Sequence, residues 1–112
     1  KGLLDVLVIA PCTGNTLGKL ANGISDTSVT LATKAHLRNQ RPVIIAVSTN
    51  DALVTSARNI GTLMNSKNIY FVPMRQDDHI NKPNSIVADF NYIPDTVKEV
   101  LATNKQPQPI LL

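Results

Sequence analysis

Three apolar runs set the pattern of the chain: Leu3 to Ala10, Pro42 to Val47 and Ile69 to Val72. Near-continuous aliphatic, β-branched and aromatic residues of this kind predict strands covered on both faces, and the first is expected to be a central parallel strand. Between the runs the apolar period becomes helical. Leu17, Leu20, Ala21 and Ile24 predict a short helix over about Asn15 to Asn22, with Gly23 at its C-terminal cap. Asp26 and Ser28 are candidate caps of a second helix, whose face is expected to be Val29, Ala32, Thr33 and Leu37 up to the polar turn at Arg38 to Arg41. Asp51, Ala52, Leu53, Ala57, Ile60 and Leu63 line up as a third helix. Met74 to Ser85 is polar and reads as a long ordered loop. Tyr92 to Leu101 predicts a last helix, with Pro94 early enough to be tolerated. Gln106 to Leu112 closes the chain as an extended tail that packs on a neighbour or ends in a short strand.

Alternating buried strands and amphipathic helices predict an α/β fold with a doubly wound parallel sheet. Ligands of such sheets sit beyond the carboxyl ends of the strands. Three segments leave those ends: Pro11 to Thr16, Ser48 to Asp51, and Pro73 to His79.

The first segment places Thr13, Gly14, Asn15 and Thr16 at a helix start, where free N–H groups and the positive end of the dipole favour an anion such as a phosphate. The plainer alternative is that Thr13 or Asn15 caps the helix. Ser48, Thr49, Asn50 and Asp51 repeat the arrangement after the second strand, with Asp51 readable as a cap. Two such loops in one parallel sheet suggest a shared cleft. His36, beside Lys34 and Arg38, reads as a surface or helix-end histidine. Asp77, Asp78 and His79 are adjacent, cannot easily converge on one ion, and read as a solvated loop, so no metal is expected. Cys12 has no Cys-X-X-Cys partner and lines the site at most. The chain lacks a Gly-Lys-Thr phosphate loop, a Gly-X-Gly-X-X-Gly fingerprint and a Gly-X-Ser-X-Gly elbow, which removes the usual NTPase, dinucleotide and hydrolase readings.

Composition narrows the class only slightly. With 112 residues, 43% of them hydrophobic and 17% charged, the chain can build one domain and is not disordered. Its apolar runs are too short to span a bilayer. The net charge of +3 is dispersed, and four aromatics (Tyr70, Phe71, Phe90, Tyr92) make no basic-aromatic stripe, so no nucleic-acid partner is expected. A single cysteine suggests no oxidising compartment, and a cytoplasmic location is the expectation. The opening Lys1, directly before an apolar strand, reads as a start inside a longer protein.

Pro11-Cys12-Thr13-Gly14-Asn15-Thr16, followed by Lys19, Gly23 and Asp26, resembles the Pro-Ala-Ser-Ala-Asn-Thr…Lys…Gly…Asp signature of the flavoprotein family that includes phosphopantothenoylcysteine decarboxylase and the peptidyl-cysteine decarboxylases. Within that family, Ala35-His36-Leu37-Arg38-Asn39, Ser48-Thr49-Asn50-Asp51, Lys67 to Pro73 and Lys82-Pro83-Asn84-Ser85 resemble the B subunits of dipicolinate synthases. The resemblance implies a flavodoxin-like, Rossmann-like three-layer fold, of which residues 1–112 are the C-terminal portion. It implies FMN held by Thr13, Gly14, Asn15, Thr16, Ser48 and Thr49, with Asn15 and Asn50 as catalytic residues holding the carboxylates of a small dicarboxylate substrate. It also implies a role in sporulation, the A subunit of dipicolinate synthase as a partner carrying NADPH, and a homo-oligomer, the reaction being dehydrogenation of a dihydrodipicolinate-type precursor. The alternative is a non-catalytic flavin-binding or scaffold partner of that A-type subunit. Where the decarboxylases have Pro-X-Met-Asn-X-X-Met-Trp, this chain has Val47 to Val54 with only Asn50 retained, which speaks against cysteine decarboxylation.

Overall fold

The computed structural model describes residues 5–112. Leu3 and Leu4, expected to open the first strand, lie outside the described residues. The elements are β1 (Leu7–Cys12), α1 (Gly14–Ala21), α2 (Ser28–Arg38), β2 (Val43–Thr49), α3 (Ala57–Met64) and β3 (Ile69–Phe71). They continue with β4 (Met74–Arg75), β5 (Ile86–Ala88), a single 3-10 turn (Phe90–Tyr92) and α4 (Ile93–Thr103).

β2 is the centre of the sheet. Val43, Ile44 and Ile45 pair in parallel with β1 on one side and with β3 on the other. Further along, Ser48 and Thr49 pair antiparallel with Val87 and Ile86, and β5 carries β4. Val43 to Val47 are all fully buried, as an unbroken apolar run requires of a strand covered on both faces. Because side chains alternate along a strand, β2 divides the core in two. Val43, Ile45 and Val47 meet Leu17 of α1, Ile60 and Leu63 of α3, and Phe71. Ile44 and Ala46 meet Tyr70, Val72 and Val100 of α4 on the other face. The α/β class and the parallel sheet between helices follow the sequence pattern, and the antiparallel β4–β5 pair is added to them.

Several expectations are corrected. β1 is not central: among the described residues it pairs with β2 alone, and Ala10 and Pro11 are exposed. Its register slips between Ile9 and Cys12, where Pro11 has no N–H to give the ladder. The cap of α2 is Thr27, not Asp26 or Ser28: the Thr30 N–H donates to Thr27 Oγ1 at 3.1 Å and the Thr27 N–H to Thr30 Oγ1 at 2.9 Å. The buried face of α2 is Thr30, Thr33 and His36, while Val29 is largely exposed. Threonine can be buried there because its hydroxyl returns to the helix, Thr33 Oγ1 donating to the Val29 carbonyl at 2.8 Å. His36 is therefore no surface residue: it is 4% exposed, with Nδ1 3.2 Å from the Ala32 carbonyl. α3 starts at Ala57 rather than Asp51, because the Val54 and Ser56 N–H groups both donate to the Asp51 carbonyl and hold the intervening residues in turns. Part of the expected polar loop is strand, at Met74–Arg75.

The helix ends follow the sequence more closely. Gly23 takes φ +71° after α1, and the Ile24 N–H closes onto the Lys19 carbonyl at 2.9 Å. The tail ends in a strand-like bridge between Leu111 and Met74. On the way, Gln106 covers the edge of β3, its amide accepting from the Phe71 N–H and donating to the Phe71 carbonyl, both at 2.7 Å. No helix among the described residues is long and apolar enough to cross a membrane.

Candidate functional site

β1 and β2 run parallel, so the segments that leave them emerge side by side. There the structure opens a cavity of about 550 Å3 lined by Thr13, Gly14 and Asn15 from the first loop and by Ser48, Thr49, Asn50 and Asp51 from the second. Asp77, Lys82, Ser85, Ile86 and Val87 close it from the β4–β5 side. A volume of this size lies within the usual range of small-molecule sites, and its lining is rich in hydroxyls and amides.

At the first loop, the N-cap of α1 is Thr13 by backbone position, but its side chain makes no capping hydrogen bond. The plain capping alternative therefore fails for Thr13, whose hydroxyl remains available to the cavity. Gly14 is needed for proximity. A Cβ there would come within 3.0 Å of Thr49 Oγ1 and Ser56 Oγ and 3.2 Å of Asp51 Oδ1, so the two loops touch through the missing side chain.

Asp51 is the knot of the second loop. Thr49 Oγ1 donates to Asp51 Oδ1 at 2.5 Å and Ser56 Oγ donates to the same oxygen at 2.7 Å. These hydroxyls, Thr49 first and Ser56 second, hold the Asp51 carboxyl below its ordinary range. Its side chain caps no helix, which corrects the cap reading. The third loop is ordered by its own bonds. Asp78 accepts from the Ile80 and Asn81 N–H groups, the Lys82 N–H donates to the Asp78 carbonyl at 2.8 Å, and Gln76 Nε2 donates to the Pro83 carbonyl at 2.9 Å.

Of the expected site residues, the cavity brings together Thr13, Gly14, Asn15, Ser48, Thr49 and Asn50, while Thr16 lies outside its lining. Cys12 does not line it either. The thiol is fully buried in the core, and burial pushes it up to about 12, so it is an inert packing group. Asp77, expected to be merely solvated, belongs to the lining, as do Lys82 and Ser85, quoted above only for the family resemblance, and Ile86 and Val87, which were given no role. The signal for them was the position of Pro73 to His79 at a third strand end. Among the described residues, no group of three His, Cys, Asp or Glu could hold a metal ion.

The donor set fits the polar part of a flavin nucleotide. Phosphate, ribityl hydroxyls and the ring's polar edge all need hydroxyl, amide and N–H partners, which Thr13, Asn15, Ser48 and Asn50 can supply; Thr49, whose hydroxyl donates to Asp51, has acceptor capacity left, and Ile86 and Val87 give a small apolar wall.

The chain is 50% identical over 109 residues to the B subunit of dipicolinate synthase from Bacillus subtilis (strain 168), covering 97% of this chain and 54% of that protein. It is 32% identical over 84 residues to a flavin prenyltransferase of Thermoplasma acidophilum, covering 75% and 46%. The crystal structure of the B subunit of dipicolinate synthase from Bacillus halodurans C superposes with a TM-score of 0.97 at 47% identity, over 100% of this chain and 57% of that one. The FMN-dependent cysteine decarboxylase SpaF superposes with a TM-score of 0.57 at 28% identity, over 88% and 53%. The chain thus spans about half the length of the curated relatives it matches. The family model described as Flavoprotein matches residues 2–104, and the chain belongs to the Flavoprotein family.

Proposed function

We propose that this chain is the C-terminal portion of a flavoprotein-like domain that binds FMN and serves as the B subunit of a dipicolinate synthase. The observation that carries the reading is the single cavity in which two polar strand-end loops meet, Thr13 to Asn15 beside Ser48 to Asp51. Bound flavin would supply a ring that accepts hydride. The chain's own residues do the rest: Thr13, Gly14, Asn15, Ser48 and Thr49 hold the cofactor, while Asn15 and Asn50 orient the carboxylates of a dihydrodipicolinate-type substrate. Thr16 acts through the loop rather than through the cavity wall. The synthase's other component, its A subunit, is the partner and carries the nicotinamide nucleotide, which in a dehydrogenation would enter as NADP+ and leave as NADPH. The setting is the cytoplasm of a sporulating cell, and the chain works as a homo-oligomer. Half-length coverage of the relatives and the unpaired outer side of β1 among the described residues support the partial-domain reading.

One observation favours the second reading, a non-catalytic flavin-binding or scaffold partner of the catalytic component. The cavity lining includes no histidine and no cysteine, and its two carboxylates, Asp51 and Asp77, are both held below their ordinary range by hydroxyl donors, which makes them poor bases. The first test is a visible absorption spectrum of the purified full-length protein, with chromatography of whatever denaturation releases. Flavin bands and recovered FMN are the expected result. A colourless protein that takes up no added FMN would overturn the flavin reading and leave a scaffold role.

A further inference from the structure

The charged groups of the cavity wall are unequal in what they can offer a ligand. Asp51 and Asp77 bring two negative charges, and Lys82 is the only cation among the lining residues. Asp51 is committed inward, to Thr49 and Ser56. Asp77 is held chiefly by the Ser85 hydroxyl, with the charge of Lys82 a weaker influence on it. Lys82 is in none of the direct ion pairs among the described residues, which join Lys19 to Asp26, Arg41 to Asp5 and Arg75 to Asp89. Its backbone is nevertheless fixed on both sides, the Lys82 N–H donating to the Asp78 carbonyl at 2.8 Å and the Ser85 N–H donating to the Lys82 carbonyl at 3.1 Å. The loop therefore presents an ammonium in the cavity wall on an ordered backbone, close enough to Asp77 and Asp78 for its charge to act on both and in a direct ion pair with neither.

We propose that Lys82 is the specificity-determining cation of this cavity, selecting a ligand whose anionic group, a carboxylate or a phosphate, lies toward the β4–β5 side. This rests on the ligand-binding reading of the cavity given above. Without Lys82 an anionic ligand meets two carboxylates and only neutral donors, so anion binding here depends on that one charge. Asp77 opposes it by competing for the same ammonium. The two residues must therefore act with opposite sign, which a purely structural role of the loop would not produce.

The test uses the full-length protein and two probes, FMN followed by quenching of its fluorescence and pyridine-2,6-dicarboxylate followed by calorimetry, each at low and high salt. Lys82→Met is expected to weaken one or both probes about tenfold at low salt, with the difference shrinking at high salt as screening replaces the lost attraction. Asp77→Asn, which keeps a partner for Ser85, is expected to tighten the same probe a few-fold. Loss confined to the dicarboxylate assigns Lys82 to the substrate, and loss confined to FMN assigns it to the cofactor phosphate. Probes that bind the wild type but ignore both substitutions overturn the role of Lys82 and leave the cavity reading standing. Lys82→Arg, which keeps the charge, should retain binding, and a variant that has lost its fold shows itself in the far-ultraviolet circular dichroism. If the wild type takes up neither probe, the cavity reading and this inference fall together.

Discussion

The two sides of the cavity are built on different physics. The floor, Thr13 to Asn15 with Ser48 to Asp51, grows directly out of β1 and β2, and its two loops lie so close that a Cβ on Gly14 would press on Thr49, Asp51 and Ser56. The arm, the loop between β4 and β5, is exposed along most of its length and ordered mainly by hydrogen bonds within itself, with one tie to the floor side where the Leu53 N–H donates to the Asn84 carbonyl at 3.1 Å. Floor residues answer to the core, so a change there should disturb stability and binding together. Arm residues answer mainly to one another, so a change there should disturb binding with little effect on stability.

The largest effect should come from Gly14→Val. Its Cβ would press within 3.0 Å of two hydroxyl oxygens, one of them on Ser56, which is 2% exposed. Overpacking of this kind costs about 1–3 kcal/mol. A lower denaturation midpoint together with lost FMN uptake is the expected outcome. Unchanged stability would mean that the loops can part freely and that the floor is not a unit.

Asp51→Ala tests the same knot from its other end. Removing the carboxylate leaves the buried Ser56 hydroxyl without its acceptor, a loss of about 1–3 kcal/mol. The pH dependence has a definite sign. The folded carboxyl titrates below its ordinary value, so its contribution to stability is present above the unfolded pKa of about 4 and is lost as the pH falls through the lower folded value. Urea denaturation of the wild type and of Asp51→Ala should therefore differ most at neutral pH and converge in acid. A gap that persists undiminished at the lowest pH would remove the carboxylate from the account.

The same contrast explains what could be read in advance. Val43 to Val47 declared a doubly buried strand because burial on both faces demands an unbroken apolar run, and the Gly23 cap followed from its need for positive φ. Thr13 to Asn15 and Ser48 to Asn50 were legible as neighbours lining one cavity because polar donors at two parallel strand ends must lie side by side. β1 was read as central because its apolar run does not tell how many strands flank it; among the described residues only β2 does. The buried face of α2 was read only in part: Thr33 was placed on it, but Thr30 and His36 were not, since Thr30 returns its hydroxyl to the backbone and His36 sets Nδ1 on the Ala32 carbonyl while its buried Nε2 finds no partner among the described residues. Lys82 was not placed in the cavity wall for a different reason. Its place at the cavity depends on β5 pairing with Ser48 and Thr49, a long-range contact with no local signature.

The smallest expected effect on stability belongs to the arm. Asp78 accepts from the Ile80 N–H at 3.3 Å, from the Asn81 N–H at 3.1 Å and from Asn81 Nδ2 at 3.1 Å, and it stands outside the core. Asp78→Ala should leave the denaturation midpoint within error of the wild type, since those amides can turn to water once the loop loosens. Amide exchange should nonetheless accelerate at Ile80 and Asn81 and stay slow at Val43 to Val47, whose ladder the arm does not support. Asp78 is also a carboxylate whose charge Lys82 feels, so its removal takes away a competing charge along with order in the loop, and stability and exchange rather than anion binding are the readouts of this variant. If the midpoint fell as far as in Gly14→Val, the arm would be part of the same cooperative unit as the floor. The division of the cavity into a core-anchored side and a self-ordered side would then be wrong.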